Sequence, residues 1–331
     1  MERFALAAAV VLGFALTTAL CSLFVPLRRV LERREQQQQP VQSEQPRPAP
    51  LRAPLWGGLC AAAGTVAAVG VGWLAACVGQ PELLGSEGRL MTRLLTALAG
   101  SLAFGAVGLA EDLARMRSPA ALGLRRDVRL LLEALAAAFV LLLLRAAGCL
   151  PLGLGVPGAG YVLLGSAVPF LWAVLMVALA ECARIAERDE GAVCGAAFVA
   201  MLALMMVEAG LGVPGLAVLP AALAGALVAL LLWAFPPARL GVGCCGSLLA
   251  AGAIGCIPLS LDMTSLTVPL ALPFWAAGGL WAAQLLGAKR TGKPLRCWVK
   301  KHKMSPETVF LCSFALSAVG YVLALALLRW C

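Results

Sequence analysis

Trp233-Ala-Phe-Pro-Pro-Ala-Arg-Leu-Gly-Val-Gly-Cys-Cys-Gly-Ser-Leu248 is the stretch on which the reading of this chain turns. It joins two apolar runs, residues 214–235 and 242–261, through Pro236, Pro237, Arg239 and a set of glycines. Proline removes a backbone donor and blocks helix continuation. The pattern therefore predicts a short turn between two helices, the second opening near Gly243. Each flanking run is about 20 residues long, enough to cross a hydrocarbon core of about 30 Å as a helix.

The rest of the chain has the same character. Of its 331 residues 61% are hydrophobic and only 13% charged, and its mean hydropathy is +0.91. Ordinary soluble domains carry about a quarter charged residues, so this composition predicts an all-α, polytopic membrane protein. Helices are required because each unpaired backbone group in lipid costs several kcal/mol. Ten spans are expected, at 3–26, 55–79, 94–110, 130–150, 159–180, 192–212, 214–235, 242–261, 266–288 and 308–329. The first is longer than a signal-peptide core and is followed by arginines rather than a cleavage site, so it reads as a retained helix.

Most of the 26 Lys and Arg fall on alternate loops. Arg28, Arg29, Arg33 and Arg34 follow the first span, Arg115 to Arg129 the third, Arg184 and Arg188 the fifth, Arg239 the seventh, and Lys289 to Lys303 the ninth. By the positive-inside rule these loops are cytoplasmic and both termini lie outside. The +9 net charge is accounted for by topology and anionic headgroups. No aromatic platform or soluble basic domain accompanies it, so nucleic acid is not an expected partner.

Residues 35–50, rich in glutamine and proline, read as a flexible cytoplasmic linker within a single transmembrane domain covering residues 1–331. The 12 cysteines are scattered through the spans without a C-x-x-C pair. They predict packing residues rather than a disulfide framework or zinc site.

Four loops on the basic side resemble, in order, motifs of the polyprenyl-phosphate N-acetylhexosamine-1-phosphate transferases. This is glycosyltransferase family 4, to which phospho-N-acetylmuramoyl-pentapeptide transferase belongs. Arg52-Ala-Pro-Leu-Trp-Gly-Gly58 is similar to the family's G-T-P-T-M-G-G. Gly108-Leu-Ala-Glu-Asp-Leu-Ala-Arg115 resembles G-F-x-D-D-x-x-K, with Glu111 and Asp112 at the acid pair and Arg115 at the lysine. Gly123-Leu-Arg-Arg-Asp-Val-Arg-Leu-Leu-Leu-Glu133 places Arg129 at a second basic position and Glu133 at a glutamine. The stretch from Phe235 to Leu248 resembles the family's aspartate-bearing segment without a gap.

The resemblance implies transfer of a sugar 1-phosphate from a UDP-sugar to polyprenyl phosphate, in cell wall biogenesis and peptidoglycan precursor synthesis at the bacterial plasma membrane. It implies Mg2+ as cofactor and membrane lipid as partner, with a homodimer or a cell-envelope assembly open. Several departures bear on catalysis. The metal-binding aspartate of the family is Cys244 here, and a soft thiol is a poor ligand for magnesium. In the helix Trp172 to Glu187, the four polar positions of the family become Ala178, Glu181, Arg184 and Glu187. Glu181 with Arg184, and Arg184 with Glu187, read as i,i+3 ion pairs at a helix end. The family's histidine cluster is absent, and His302 matches none of it.

The surviving catalytic candidates are Glu111, Asp112 and Glu187, and the substrate-binding candidates are Arg115, Arg129, Gly246 and Ser247. No intact metal site is expected, the family position being Cys244. Three readings follow: a transferase with impaired or lost turnover, an active transferase with a rearranged site, and a non-catalytic scaffold that binds a lipid phosphate.

Overall fold

The computed structural model describes residues 2–38, 56–79, 88–117, 123–156, 160–187, 191–213, 215–235, 239–286 and 305–330. The chain runs α1 Glu2–Gln38, α2 Gly57–Gly79, α3 Gly88–Arg117, α4 Arg126–Ala146, β1 Gly153–Val156, β2 Gly160–Leu163, α5 Ala167–Ala186, α6 Ala192–Gly210, α7 Val218–Ala234 and α8 Gly243–Ser260. A 3-10 turn (Thr264–Leu266), α9 Thr267–Leu270, α10 Leu272–Leu286 and α11 Pro306–Trp330 complete it. The architecture is that of an all-α, polytopic membrane protein.

Among the described residues seven helices are long and apolar enough to cross a membrane: Phe4–Val25, Gly57–Val78, Leu90–Arg117, Ala167–Ala186, Ala192–Gly210, Gly243–Ser260 and Glu307–Leu327. Thr264–Leu270 and Leu272–Ala283 form a pair bent by 65°, an eighth crossing if taken together. The other two expected spans are helical but weaker: α7 has 17 residues, and α4 carries Arg126, Asp127, Arg129, Glu133 and Arg145.

Helix α8 is the centre of the bundle. Every one of its residues is buried, so a segment of membrane-span length touches protein throughout. It packs most extensively on α3, and also on α5, α2 and α6. Lipid tails are as apolar as leucine, so helices in a bilayer associate through close packing of small residues rather than hydrophobic exclusion. The sequence supplies those residues where α8 needs them. Gly58 of α2 lies on the backbone of Gly246, Gly108 of α3 on the carbonyl of Cys244, and Gly252 on Ser101. Trp172 of α5, fully buried, donates its indole N–H to the Gly255 carbonyl at 3.3 Å, and Met176 packs on Gly255. Backbone bonds from Gly57 N–H to Gly241 O (3.2 Å) and Gly58 N–H to Val242 O (3.0 Å) fasten the start of α2 to the start of α8.

A contrast follows from this packing. Gly108→Ala should destabilise the protein by about 1–3 kcal/mol, the usual result of overpacking, because a Cβ there runs into the Cys244 carbonyl. Gly70→Ala in α2, with nothing within 4 Å of the new Cβ, should be neutral or stabilising through helix propensity. Thermal unfolding of both variants in detergent measures the difference, and equal midpoints would refute the packing argument.

Two boundaries differ from the sequence expectation. The fifth span does not begin at 159: Gly153–Val156 and Gly160–Leu163 form an antiparallel pair matching Gly153 with Leu163 and Leu154 with Val162, and α5 starts at Ala167. Gly-Val-Pro-Gly-Ala-Gly at 155–160 is turn chemistry that hydropathy alone does not weigh. Helix α1 runs to Gln38, so the start of the expected 35–50 linker is helical, and residues 39–50 lie outside the described residues. The break near Gly212 is present, with Gly212 at φ 72° between α6 and α7.

Candidate functional site

The site is built where five helix ends meet: the starts of α2, α4 and α8 and the ends of α3 and α5. Its first element is a carboxylate placed on a helix N-terminus. Asp112 in α3 accepts the backbone N–H of Cys244 at Oδ1 (3.1 Å) and that of Cys245 at Oδ2 (2.9 Å). The first amides of a helix have no partner within it, and the macrodipole favours an anion there. Gly243 makes this possible, since φ 72° is the left-handed turn that costs glycine least. Asp112 is 1% exposed.

The second element is a guanidinium held among acids. Arg115 donates to Glu111 Oε1 at 2.7 Å and to Glu187 Oε2 at 3.3 Å, and its Nη1 lies 3.8 Å from Asp112 Oδ1. One turn of α3 is thus tied to the end of α5. Gly123, at φ 71°, packs against the aliphatic part of Arg115 and against Glu111, bringing the start of α4 onto the same cluster.

The third element extends along α4 and α5. Arg129 donates from Nε to Glu181 Oε1 at 2.7 Å and approaches Glu111 Oε1 at 3.8 Å. Arg184 donates to the other oxygen of Glu181 at 2.6 Å. Glu133 is fully buried, and both of its carboxylate oxygens lack a hydrogen-bond partner, as do Glu111 Oε2 and Arg184 Nε. Buried polar atoms are nearly always paired, so such groups signal an unmet partner.

Of the residues singled out from sequence, Glu111, Asp112, Arg115, Arg129, Glu187 and Cys244 converge here. Gly246 and Ser247 behave differently: Gly246 lies against Gly58 and Val242, and the Ser247 hydroxyl donates to the Cys244 carbonyl at 3.1 Å. The amides of α8 that face the acids are those of Cys244 and Cys245. One expected ion pair is corrected. Glu187 takes Arg115 of α3, while Arg184 pairs with Glu181, because packing α3 on α5 brings a guanidinium nearer than the i,i+3 neighbour. Ala178 is exposed, and His302 and the basic stretch 289–303 lie outside the described residues. Sequence reasoning missed the Cys245 amide and the reach of Arg129 to Glu181. The glycine at 243, directly before Cys244, was the available signal for the first, and nothing local signalled the second.

Chemically, the cluster joins Asp112, Glu187 and Cys244. One ligand atom from each lies within 4.8 Å of the others, and Cys244 Sγ donates to Glu187 Oε2 at 3.1 Å. This is the one group among the described residues whose side chains could jointly hold a metal ion. Magnesium requires oxygen donors in near-octahedral geometry. A set of two carboxylates and one thiol does not fit it.

Comparison with known proteins agrees with the motif order. The profile of glycosyl transferase family 4 matches residues 94–262, which contains every charged group of the cluster. The chain is 30% identical over 212 residues to a phospho-N-acetylmuramoyl-pentapeptide-transferase of Synechococcus, covering 63% of this chain and 55% of that protein. It is 26% identical over 271 residues to the enzyme of the same name from Geobacillus kaustophilus, covering 81% and 79%. The chain thus spans only a little over half the length of the first relative. With more than half of its residues under the family profile, and with its buried helix α8 and the acid-bearing end of α3 inside that match, this multi-pass membrane protein belongs to glycosyl transferase family 4.

Proposed function

We propose that this chain is a phosphoglycosyl transferase relative whose magnesium-dependent transfer of sugar 1-phosphate from a UDP-sugar to polyprenyl phosphate is impaired or lost. The observation that carries the reading is Cys244. It belongs, with Asp112 and Glu187, to the one trio among the described residues that could hold an ion, and its thiol, 3.1 Å from Glu187 Oε2, stands where magnesium requires a hard oxygen donor. Arg184 adds a fixed cation where the family motif has an acid, while Arg115 keeps the positive charge of the family's lysine.

Charge argues the same way. The cluster holds Glu111, Asp112, Glu133, Glu181 and Glu187 against Arg115, Arg129 and Arg184, a formal surplus of two negative charges if all are ionised. Bringing a nucleotide diphosphate and a lipid phosphate to that surface requires a cation to offset them. In this reading the site opens to the cytoplasm, both termini lie outside, and any retained binding of a lipid phosphate depends on cations beyond this cluster.

The test is radiolabel transfer from UDP-sugars to undecaprenyl phosphate by the purified full-length protein with Mg2+, beside an intact family member. The rate should be lower by about 10²-fold or more, as follows removal of a single charge-stabilising group. Rates equal to the relative's, and abolished by Asp112→Asn, would instead establish an active transferase with a rearranged site.

A further inference from the structure

We infer that Asp112, Glu187 and Cys244 form a binding site for a thiophilic divalent cation of the Zn2+ class, replacing the magnesium selectivity that the family resemblance implies. The inference concerns binding and stands whether or not sugar phosphate is transferred. Four observations carry it.

First, the donors are already assembled. Ligand atoms from three helices, Asp112 of α3, Glu187 at the end of α5 and Cys244 in the first turn of α8, lie within 4.8 Å of one another. Around a tetrahedral ion with about 2.0–2.2 Å to oxygen and about 2.3 Å to sulfur, donors sit about 3.4–3.6 Å apart. The Cys244 to Glu187 separation of 3.1 Å is close to this, and the Asp112 carboxylate lies within 4.8 Å of both.

Second, the donor set selects the metal. Thiolate sulfur favours zinc and similar ions, while all-oxygen sets suit magnesium. Zinc takes both thiolate and carboxylate ligands, and three protein donors with a water fill its four-coordinate shell.

Third, the site has a built second layer. Asp112 is oriented by the amides of Cys244 and Cys245, and Glu187 by Arg115. Partners of this kind fix ligand geometry at metal sites.

Fourth, an unmet buried group stands beside the trio. Glu111 is 2% exposed, its Oε2 has no partner, and its Oε1 shares Arg115 with Asp112 and Glu187. A buried acceptor left without a donor is a place where added positive charge is favourable. Beside the trio, Arg115 and Glu187 are partly exposed, at 22% and 10%. As the metal–sulfur bond forms, the Cys244 thiol gives its proton to water, and the thiol–Glu187 hydrogen bond is replaced by shared coordination.

The test uses the full-length protein in detergent, stripped with a chelator and titrated with Cd2+ or Co2+. Wild type should take up the ion with a sulfur-to-metal charge-transfer band that Mg2+ in excess does not remove. Cys244→Ser should lose that band and Cys245→Ser should keep it. Persistence of the band in Cys244→Ser would assign it to other thiols and overturn the proposal. A second measurement needs no variant: X-ray absorption of the Zn2+-loaded wild type should show one sulfur at about 2.3 Å with oxygen neighbours. An all-oxygen shell, two or more sulfurs, or no retained zinc would each overturn it.

Discussion

Arg115→Met should destabilise this protein by about 3–5 kcal/mol, the range seen when one partner of a buried ion pair is removed. The expectation rests on what the side chain holds. Arg115 ties Glu111 at 2.7 Å, Glu187 at 3.3 Å and Asp112 at 3.8 Å, and all three carboxylates are largely buried. Methionine keeps much of the aliphatic stem that packs on Gly123 and so isolates the charge. The control is Arg117→Met, two residues along α3 at an exposed position, where a surface charge contributes little. Thermal unfolding in detergent measures both, and a loss for Arg115→Met no larger than for Arg117→Met would show that the guanidinium is not the counter-ion of the site. Adding a divalent ion that fits the cluster should recover part of the loss, since ligand binding to the folded state alone stabilises it by mass action.

The second large effect is a gain. Cys244→Asp should restore a three-carboxylate oxygen set with Asp112 and Glu187, raising magnesium affinity with little turnover, because Arg184 and Glu181 remain locked at 2.6 Å. Combining Cys244→Asp with Arg184→Asp, Ala178→Asn and Glu181→Asn removes that pair and returns the polar residues of the family motif. Transfer to undecaprenyl phosphate should then rise about tenfold or more over wild type, equivalent to about 1.4 kcal/mol of barrier. Magnesium-dependent thermal shift, measured alongside, separates binding from turnover. If the fourfold variant folds and binds magnesium but transfers no faster than wild type, the replaced positions are not what limits this chain, and the missing histidine cluster becomes the principal lesion.

Much of this was legible in the sequence because it depends on local or additive properties. Composition and run length place the chain in a bilayer, where backbone hydrogen bonding leaves helices as the available form. The collinear order of motifs that resemble the family's implied that Asp112, Glu187 and Cys244 share one site, and the Glu111–Arg115 pair follows from i,i+4 spacing. The cysteine at 244 already argued against magnesium, since donor softness is a property of the residue.

Tertiary structure decided the rest. That Asp112 meets the amides of Cys244 and Cys245, more than 130 residues away, follows from α3 lying on α8 through Gly108, a contact no periodicity encodes. The choice of Arg115 over Arg184 as the partner of Glu187 is a competition between a neighbour on the same helix and a cation brought across by packing. Helix spacing set by Gly58, Gly108 and Gly255 determines the outcome. The pairing of β1 with β2 and the 65° bend between α9 and α10 were likewise hidden, because turns inside apolar sequence leave the hydropathy almost unchanged. Sequence thus determined which groups are present and in which solvent, and the close approach of small-residue helix faces decided which charges neutralise one another.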